Sequence, residues 1–151
     1  MPRIGIISDT HGLLRPEAIS ALNGCDHLLH AGDVGKPDIL IQLATIAPIT
    51  AIRGNVDHWA SELADTELVS LFGKTFYLLH DRKTLDFEPA ARAIDVVVSG
   101  HSHKPQQCRH DGVIYLNPGS AGPRRFKLPI SLAIATIDNG DAIEIEIIHL
   151  L

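Results

Sequence analysis

The sequence predicts an α/β fold, a four-layer αββα sandwich in which two mixed sheets pack face to face with helices outside. Between residues 4 and 57, apolar runs and amphipathic segments alternate as strand, helix, strand, helix, strand, which favours right-handed crossovers and a parallel sheet. From residue 106 onward, short apolar runs flank turn signals, which is typical of antiparallel hairpins. The 151 residues fit a single domain, 1–151.

The parallel half of the chain is marked by proline and glycine. The predicted elements are a strand at 4–7, a helix from Pro16 to Asn23, a strand at 27–31, a helix from Pro37, and a strand at 48–52. Proline is favoured in the first turn of a helix, and glycine after its last turn, as at Gly24. In the second helix, apolar residues at 39, 40, 43 and 44 share one face, which we expect to be buried.

The second half of the chain is predicted to consist mainly of strands. They lie at 68–72, 75–79, 95–99, 106–109, 113–116, 131–137 and 142–148, with one short helix at 89–92. Turns are predicted at Gly73-Lys74, at residues 110–112 and at Asn139-Gly140. Isoleucine and glutamate alternate over 143–147, which indicates a strand with one face in solvent.

The composition narrows the class of protein. Hydrophobic residues make up 45% and charged residues 21%, as in an ordinary globular domain. The net charge of −5 disfavours a general nucleic-acid binder, which needs a basic face, although a bound metal could still attract a small phosphorylated molecule. Cys25 and Cys108 form no C-x-x-C pair and indicate two reduced thiols. Because no membrane-spanning run or signal-peptide pattern is visible, we expect a cytoplasmic protein that does not enter a membrane.

Side chains that could bind metal follow the ends of five predicted strands. They are Asp9 and His11, then Asp33, Asn55 and His80, then His101 and His103. In open α/β sheets, ligands bind just beyond the carboxyl ends of the strands, so these side chains should lie together. Asp9 and His11 would point the same way if the chain stays extended there. Carboxylate and imidazole donors without thiolate suit Mn²⁺, Fe²⁺, Ni²⁺ or Zn²⁺.

Each of these residues also has a purely structural interpretation. Asp9 could cap a helix, and Asp33 and Asn55 could form turns beside Gly32 and Gly54. The histidines could be bonded to backbone at turns or satisfied in the core. All of these interpretations would have to hold at one edge of the sheet at once, so the shared position favours a metal site.

The ordered motifs D-x-H, G-D, G-N-x-D, H and G-H-x-H resemble those of the calcineurin-like metallophosphoesterase superfamily. The resemblance runs from Pro2 to about Arg125 and is closest to the small bacterial and archaeal phosphodiesterase subgroup, whose fold a eukaryotic retromer scaffold subunit shares. It implies one metal ion on Asp9, His11, Asp33 and His103, and a second on Asp33, Asn55, His80 and His101. Asp33 would bridge the ions, and His11, Asn55 and Asp33 would take part in catalysis. The turn at 117–120 matches a family element that shapes the rim of the site.

The expected chemistry follows from two divalent ions, with Mn²⁺ foremost and Ni²⁺, Fe²⁺ or Zn²⁺ as alternatives. Such ions, about 3.5–4 Å apart, supply a bridging hydroxide near neutral pH and hold both oxygens of an in-line displacement. Each ligand histidine should donate its other ring N–H to an acceptor. Arg53 or Arg124 could contact the substrate phosphate, whereas Arg125 and Lys127 are expected to be solvated surface charges.

The chain departs from the family pattern at two positions. Family members usually carry glycine after the fourth-motif histidine, where this chain has Asp81; glycine suggests a positive φ there, which aspartate tolerates. Many phosphatases of the superfamily read G-N-H-E, and that histidine assists the leaving group. Val56 stands in its place here, as a non-acid residue does in the small phosphodiesterase subgroup.

We therefore expect a dinuclear metal-dependent phosphodiesterase that acts on a small or activated phosphodiester; a homo-oligomer is left open. The alternative is a non-catalytic protein-interaction scaffold with a vestigial metal site. A scaffold would be expected to lose ligands, and this chain has all seven. A metal-dependent nuclease is disfavoured by the acidic charge and the scarcity of aromatic residues on which bases could stack.

Overall fold

The computed structural model describes residues 1–139 and 141–151, in which ten strands, two α-helices and two 3₁₀ helices are present. The strands are β1 Arg3–Ile7, β2 His27–His30, β3 Ile49–Ala51, β4 Thr66–Leu71, β5 Lys74–Leu79, β6 Val96–Val98, β7 Gln106–His110, β8 Val113–Asn117, β9 Ser131–Ile137 and β10 Ile143–His149. The α-helices are α1 Pro16–Leu22 and α2 Pro37–Ala44, and the 3₁₀ helices are Arg82–Thr84 and Pro89–Arg92.

The strands form two mixed five-stranded sheets, which confirms the predicted α/β sandwich. The first sheet has the order β10-β9-β1-β2-β3, with β1, β2 and β3 parallel. The second has the order β4-β5-β6-β8-β7, with β5, β6 and β8 parallel. The predicted hairpins β7–β8 and β9–β10 are both antiparallel.

Three apolar clusters pack between or against the layers. The cluster between the sheets includes Ile4, Phe76 and Val98, all fully buried. A second cluster packs α1 and α2 on the outer face of the first sheet. The outer face of the second sheet is covered by a third cluster around Tyr115, with Leu85 and Phe87 packed against it. The helix predicted at 89–92 is a 3₁₀ helix, which ends at Ala93 in the left-handed conformation (φ 56°). The helical layer outside the second sheet therefore consists of short 3₁₀ helices.

Two turns differ by one residue from the sequence prediction. The β4–β5 turn is formed by Phe72-Gly73 rather than Gly73-Lys74, and both residues have positive φ, as a tight hairpin requires. The β7–β8 turn is Asp111-Gly112 alone, because β7 extends through His110. The turn predicted at Asn139-Gly140 includes Gly140, which lies outside the described residues.

Both cysteines are unpaired, as predicted; Cys25 is buried and Cys108 is exposed. Among the described residues, no helix has the length and apolar character needed to cross a membrane.

Candidate metal centre

The predicted ligands lie where the two sheets meet, beyond the carboxyl ends of five parallel strands. The loops after β1, β2 and β3 carry Asp9, His11, Asp33 and Asn55, and the loops after β5 and β6 carry His80, His101 and His103. The turn at the end of β8 contacts the loops that carry Asp9 and His101. The position expected from the strand order is therefore the one observed.

Two carboxylates form the middle of the centre, and each uses one oxygen to hold itself in place. Asp9 Oδ2 accepts hydrogen bonds from Ser8 Oγ (2.9 Å) and from the backbone N–H of His101 (3.1 Å). Asp33 Oδ1 accepts a hydrogen bond from the backbone N–H of Val56 at 3.1 Å. The other oxygen of each carboxylate faces the histidines, so both side chains are fixed with one oxygen available for a cation.

Three imidazoles converge on these two oxygens through Nε2. Asp9 Oδ1 lies 3.9 Å from His11, 3.8 Å from His80 and 3.6 Å from His103. Asp33 Oδ2 lies 3.5 Å from His11 and 3.1 Å from His80. The donor atoms form two groups, each within 4.8 Å, namely Asp9–His11–His103 and Asp9–Asp33–His80. Five of the seven predicted ligands are thus within reach of shared cations.

Several polar atoms of the residues at this centre are buried without hydrogen-bond partners. Six buried side-chain nitrogen or oxygen atoms among the described residues lack one, and five belong to the centre: Asp9 Oδ1, His11 Nε2, His80 Nε2 and both ring nitrogens of His103. Leaving a buried polar atom unpaired costs about 1–3 kcal/mol. The unfavourable free energy of these unpaired atoms is offset if they bind cations. The residues present therefore fit a site for divalent metal ions.

The backbone around the ligands is strained. Asp9, His11, Asp33, His101 and His103 all have positive φ, between 46° and 71°. Asp and His tolerate this region better than most residues, yet each instance costs about 1–3 kcal/mol. The expectation of an extended chain at Asp9 and His11 is therefore wrong, although the two side chains do converge. The strain is consistent with backbone held in place for ligand geometry.

Two glycines allow the ligand loops to pack closely. A Cβ at Gly54 would overlap the backbone nitrogen and Oδ1 of Asp33, and a Cβ at Gly100 would overlap Ser8 Oγ. Asn55 and Val56 do form the turn expected beside Gly54, and Gly54, which has no positive φ, also allows the close approach of the Asp33 loop.

Asn55 and His101 lie at the rim, next to His80, rather than in the buried groups. Asn55 is exposed and borders a pocket with His80. The His101 side chain is 47% exposed, and its ring contacts that of His80 edge-on with centroids 5.3 Å apart. His80 Nδ1 lies 2.8 Å from the Ala31 carbonyl, which orients Nε2 towards the carboxylates, as expected for a ligand histidine.

The suggestion that Asp81 adopts a positive φ is wrong. Asp81 has an extended backbone (φ −114°, ψ 113°), and its Oδ1 accepts a hydrogen bond from Lys83 N–H at the start of the 3₁₀ helix. The aspartate therefore replaces glycine without backbone strain. Its Oδ2 lies 3.9 Å from His101 Nε2.

The turn after β8 supports the loop that carries His101. Asn117 Nδ2 donates to the Gly100 carbonyl (2.9 Å) and to Ser102 Oγ (3.1 Å), and Asn117 Oδ1 accepts from Gly119 N–H. Ser120 Oγ lies 3.1 Å from the Asp9 carbonyl oxygen. The turn thus fixes the backbone on both sides of the carboxylates.

The carboxylates and His80 have shifted pKa values. Burial raises the pKa of Asp9 to about 6. Burial acts in the same direction on Asp33, but His80 and the Val56 N–H outweigh it and lower the pKa to about 2. Burial opposes charge on His80, yet contacts with Asp33 and the Ala31 carbonyl raise its pKa. Asp33 is therefore the carboxylate that stays ionised through mild acid.

The other two imidazoles favour the neutral form. Burial lowers the pKa of His11 and of His103, the latter to about 4, and the positive charge of Arg125 lowers both further. Neutral imidazole is the form that binds a metal ion.

His30, which is fully buried behind the centre, was not among the predicted site residues. Its Nδ1 accepts a hydrogen bond from Gly32 N–H (3.1 Å), so Nε2 carries the proton and donates to Thr10 Oγ1 (3.0 Å). Thr10 Oγ1 in turn donates to the Val34 carbonyl at 2.8 Å. The chain of bonds ties the loop after β1 to the loop after β2. The feature of the sequence that could have indicated this role is a histidine at the end of a buried strand.

Asp57 is the last residue of the G-N-x-D motif, but its contacts could not be predicted from the sequence. It is fully buried and accepts backbone hydrogen bonds from Val34, Gly35 and Gly54, at 2.8–3.0 Å. The carboxylate therefore joins the loops that carry Asp33 and Asn55.

The stability of the protein is expected to depend on pH through His30. Burial lowers the pKa of His30 to about 4, against 6.5 for an unperturbed histidine. Between these values the unfolded chain binds the proton more tightly, so stability is full above pH 6.5 and is lost as the pH falls towards 4. From pH 7.5 to pH 5, the His30 contribution should fall by about 2 kcal/mol.

Urea unfolding with EDTA present measures this effect. The difference in unfolding free energy between the parent and His30→Gln should shrink by that amount on acidification. His110→Gln, at an exposed residue, should show no such change. A pH-independent difference for His30→Gln would contradict the prediction.

The arginines predicted to contact substrate occupy different settings. The Arg53 guanidinium donates to Asp65 Oδ1 from Nε (3.0 Å) and Nη2 (2.9 Å). Arg124 and Arg125 are exposed and border a pocket against His11 and His103. Arg125 was expected to be a solvated surface charge, but it also faces the centre. Lys127, for which the same was expected, does not line this pocket.

The fold and the centre define a metal-binding domain of two facing sheets. Residues 2–140 match the calcineurin-like phosphoesterase superfamily domain, and the chain belongs to this family. The resemblance identified from the motifs is thereby confirmed.

Relatives and solved structures agree with this assignment. A probable metallophosphoesterase of Methanothermobacter thermautotrophicus is 35% identical over 159 residues, which cover 97% of this chain and 91% of the relative. A phosphodiesterase of Methanocaldococcus jannaschii is 27% identical over 137 residues, covering 78% of this chain and 82% of that protein. The crystal structure of Chaetomium thermophilum Vps29 has a TM-score of 0.77 at 18% identity, with 97% of this chain and 94% of that chain covered, and it shows the shared fold.

Proposed function

We propose that the protein is a dinuclear metal-dependent phosphodiesterase that hydrolyses a small or activated phosphodiester. The observation that carries the proposal is the convergence of four residues, Asp9, His11, His80 and His103, each with a buried, unpartnered atom that could bind a metal ion. Membership of the phosphoesterase superfamily and similarity to a named phosphodiesterase support it.

The proposed ligand sets follow the family motifs. Asp9, His11, Asp33 and His103 would hold one ion, and Asp33, Asn55, His80 and His101 the other. The first close group, Asp9–His11–His103, falls within the first set, and the second close group, Asp9–Asp33–His80, contains two members of the second set together with Asp9. Asn55 and His101 flank His80 on its exposed side, which is consistent with a second ion placed nearer the surface. Mn²⁺ is the metal we propose first, because the donors are carboxylate, amide and imidazole without thiolate.

When bound, the two ions would activate water as a nucleophile and offset charge on the phosphate oxygens. The chain supplies what surrounds this chemistry. Ser8 and the His101 N–H fix Asp9, and the Val56 N–H fixes Asp33, so the ligand oxygens need no rearrangement. His11, Asn55 and Asp33 are proposed to take part in catalysis as groups that face the reacting phosphate.

Cations for the phosphate lie on the His11 side of the centre. The pocket between His11, His103, Arg124 and Arg125 has a volume of about 230 Å³. Arg125 is close enough to affect the pKa of both histidines, which supports a positive potential at the mouth of the site. We propose that Arg124 contacts the phosphate with help from Arg125. Arg53 remains a second candidate, although contact with substrate would have to compete with Asp65.

The alternative function is a protein-interaction scaffold with a vestigial metal site. The likeness to Vps29 shows the fold alone and does not favour this alternative. A vestigial site would have no reason to keep five unpartnered buried polar atoms on four converging residues, each a cost to stability.

The proposal is tested by metal analysis and hydrolysis on the same preparation. The protein is stripped with chelator, reloaded with Mn²⁺, Ni²⁺, Fe²⁺ or Zn²⁺ and dialysed. We expect two equivalents of metal and hydrolysis of bis(4-nitrophenyl) phosphate that is faster than hydrolysis of 4-nitrophenyl phosphate. Stable binding of two ions with no hydrolysis of either ester would favour the scaffold.

A further inference from the structure

A pocket of about 360 Å³ opens beside His101 and shares no lining residue with the pocket bordered by Arg124 and Arg125. We name it the His101 pocket; it lies between the 3₁₀ helix Arg82–Thr84, the loop 99–102 and strand β8. Its walls include Asp81, Arg82, Lys83, His101 and Tyr115. The volume falls in the range of small-molecule sites.

One wall of the pocket is a guanidinium group placed on an aromatic ring. The Arg82 Cζ atom lies 4.4 Å from the centroid of Tyr115, whose ring is buried in the outer cluster of the second sheet. Arg82 is exposed, so the face of its guanidinium away from Tyr115 is open. A guanidinium plane held in this way can stack on a second planar ring with less loss of side-chain freedom.

The pocket is continuous with the proposed metal centre through one residue. The His101 ring lines the pocket and also contacts the His80 ring, 5.3 Å away. The loop between them is held by Asn117, which bonds Gly100 and Ser102. A phosphate placed at the centre would therefore have one ester substituent directed along a fixed wall into the pocket.

The charges of the pocket suit a substituent attached to an anion. Arg82 and Lys83 contribute two positive charges against one negative charge from Asp81. Tyr115 and Leu116 supply apolar surface deeper in the wall. A planar aromatic group bonded to a phosphate matches both features, because its ring would meet Arg82 and its charge would remain at the centre.

We infer that the His101 pocket is a subsite for a planar aromatic substituent of the phosphodiester, which stacks on the guanidinium of Arg82. The inference rests on the proposed function and names the substrate class. Arg82 is then a specificity residue for that substituent. The aromatic group is either a simple aryl ring or the base of a nucleoside, which share this chemistry.

Binding to the Mn²⁺-loaded protein tests the inference independently of diester hydrolysis. Calorimetry compares phenyl phosphate with methyl phosphate, and uridine 5′-monophosphate with ribose 5-phosphate. In the parent, the aromatic member of at least one pair should bind about tenfold more tightly, as expected for one stacked ring. A preference in the first pair alone assigns an aryl ring, and one in the second pair assigns a nucleobase.

Two arginine variants separate stacking from general effects. Arg82→Ala should lose the aromatic preference and still bind methyl phosphate. Arg92→Ala is the matched control, because it removes another arginine that stacks on an aromatic ring. The Arg92 Cζ atom lies 3.9 Å from the centroid of the Phe87 ring, and Arg92 does not line the pocket. No aromatic preference in the parent, or equal losses in the two variants, would overturn the inference.

Hydrolysis of bis(4-nitrophenyl) phosphate by the same preparations keeps the two proposals apart. If the parent hydrolyses this ester and shows no aromatic preference, the subsite is wrong and the proposed function stands. If the parent binds aromatic phosphates through Arg82 and hydrolyses no diester, the proposed function is wrong and the subsite stands.

Discussion

Replacing Asp33 with alanine is expected to remove both metal ions and to lower diester hydrolysis by more than about 100-fold. The reason is its position, because Oδ2 lies within 3.5 Å of His11 from one proposed set and 3.1 Å of His80 from the other. Loss of a partner that only supports a ligand already costs about 10–100-fold in affinity or activity. Loss of a carboxylate shared by both ions should cost more.

Metal content after dialysis measures this effect directly. Asn55→Ala and His103→Ala are the matched controls, since each removes a ligand from one proposed set and should leave one equivalent bound. Asp33→Asn keeps an oxygen for the Val56 N–H and reports whether lost metal reflects a disturbed fold. Two tightly bound equivalents in Asp33→Ala would contradict the assignment. Loss of both ions only in Asp9→Ala would make Asp9 the bridge, since its Oδ1 faces three histidines.

The fold could be predicted because its periodicities are unambiguous. The buried strands β1 and β6 are short, mainly apolar runs, β2 has Leu28-Leu29 between two histidines, and proline opens both α1 and α2. The exact turn residues could not be predicted. Gly73 can occupy either central position of a hairpin turn, and register with β5 places Phe72 in the other position despite its positive φ.

The residues that meet at the candidate centre could be selected from the sequence because each follows a strand end, but the geometry that makes them converge could not be predicted. Left-handed backbone at Asp9 and His11 arises from contacts between loops that are distant in sequence, such as Asp9 with Gly32 and His11 with Asp33. Asp57 acts through backbone N–H groups, which carry no residue-specific signal. His30 acts through the Gly32 N–H and the Thr10 hydroxyl, a pairing that only the fold brings together. The placement of Arg125 depends on the path of its loop rather than on local composition.

The second large effect concerns the leaving group and the absence of an acid at Val56. Valine has no proton to donate, and the side chain is 42% exposed beside the centre. The neighbouring Asp57 is fully buried, with both oxygens engaged by three backbone N–H groups, so it cannot turn inward without breaking them. His58 is exposed. General acid assistance typically contributes about 10²–10⁴-fold, so the departing oxygen must leave largely with its own negative charge.

A series of aryl phosphodiesters with leaving groups spanning several pKa units measures this dependence. We expect rates to fall steeply as the pKa of the leaving group rises, with nitrophenolate diesters preferred over alkyl monoesters. Val56→His keeps the backbone N–H that holds Asp33 and should flatten the slope if the imidazole reaches the leaving oxygen. Val56→Leu is the control for side-chain size and should leave the slope unchanged. A nearly flat dependence in the parent, with chemistry shown to be rate-limiting, would mean that another residue donates the proton, and His58→Ala would then be the first variant to examine.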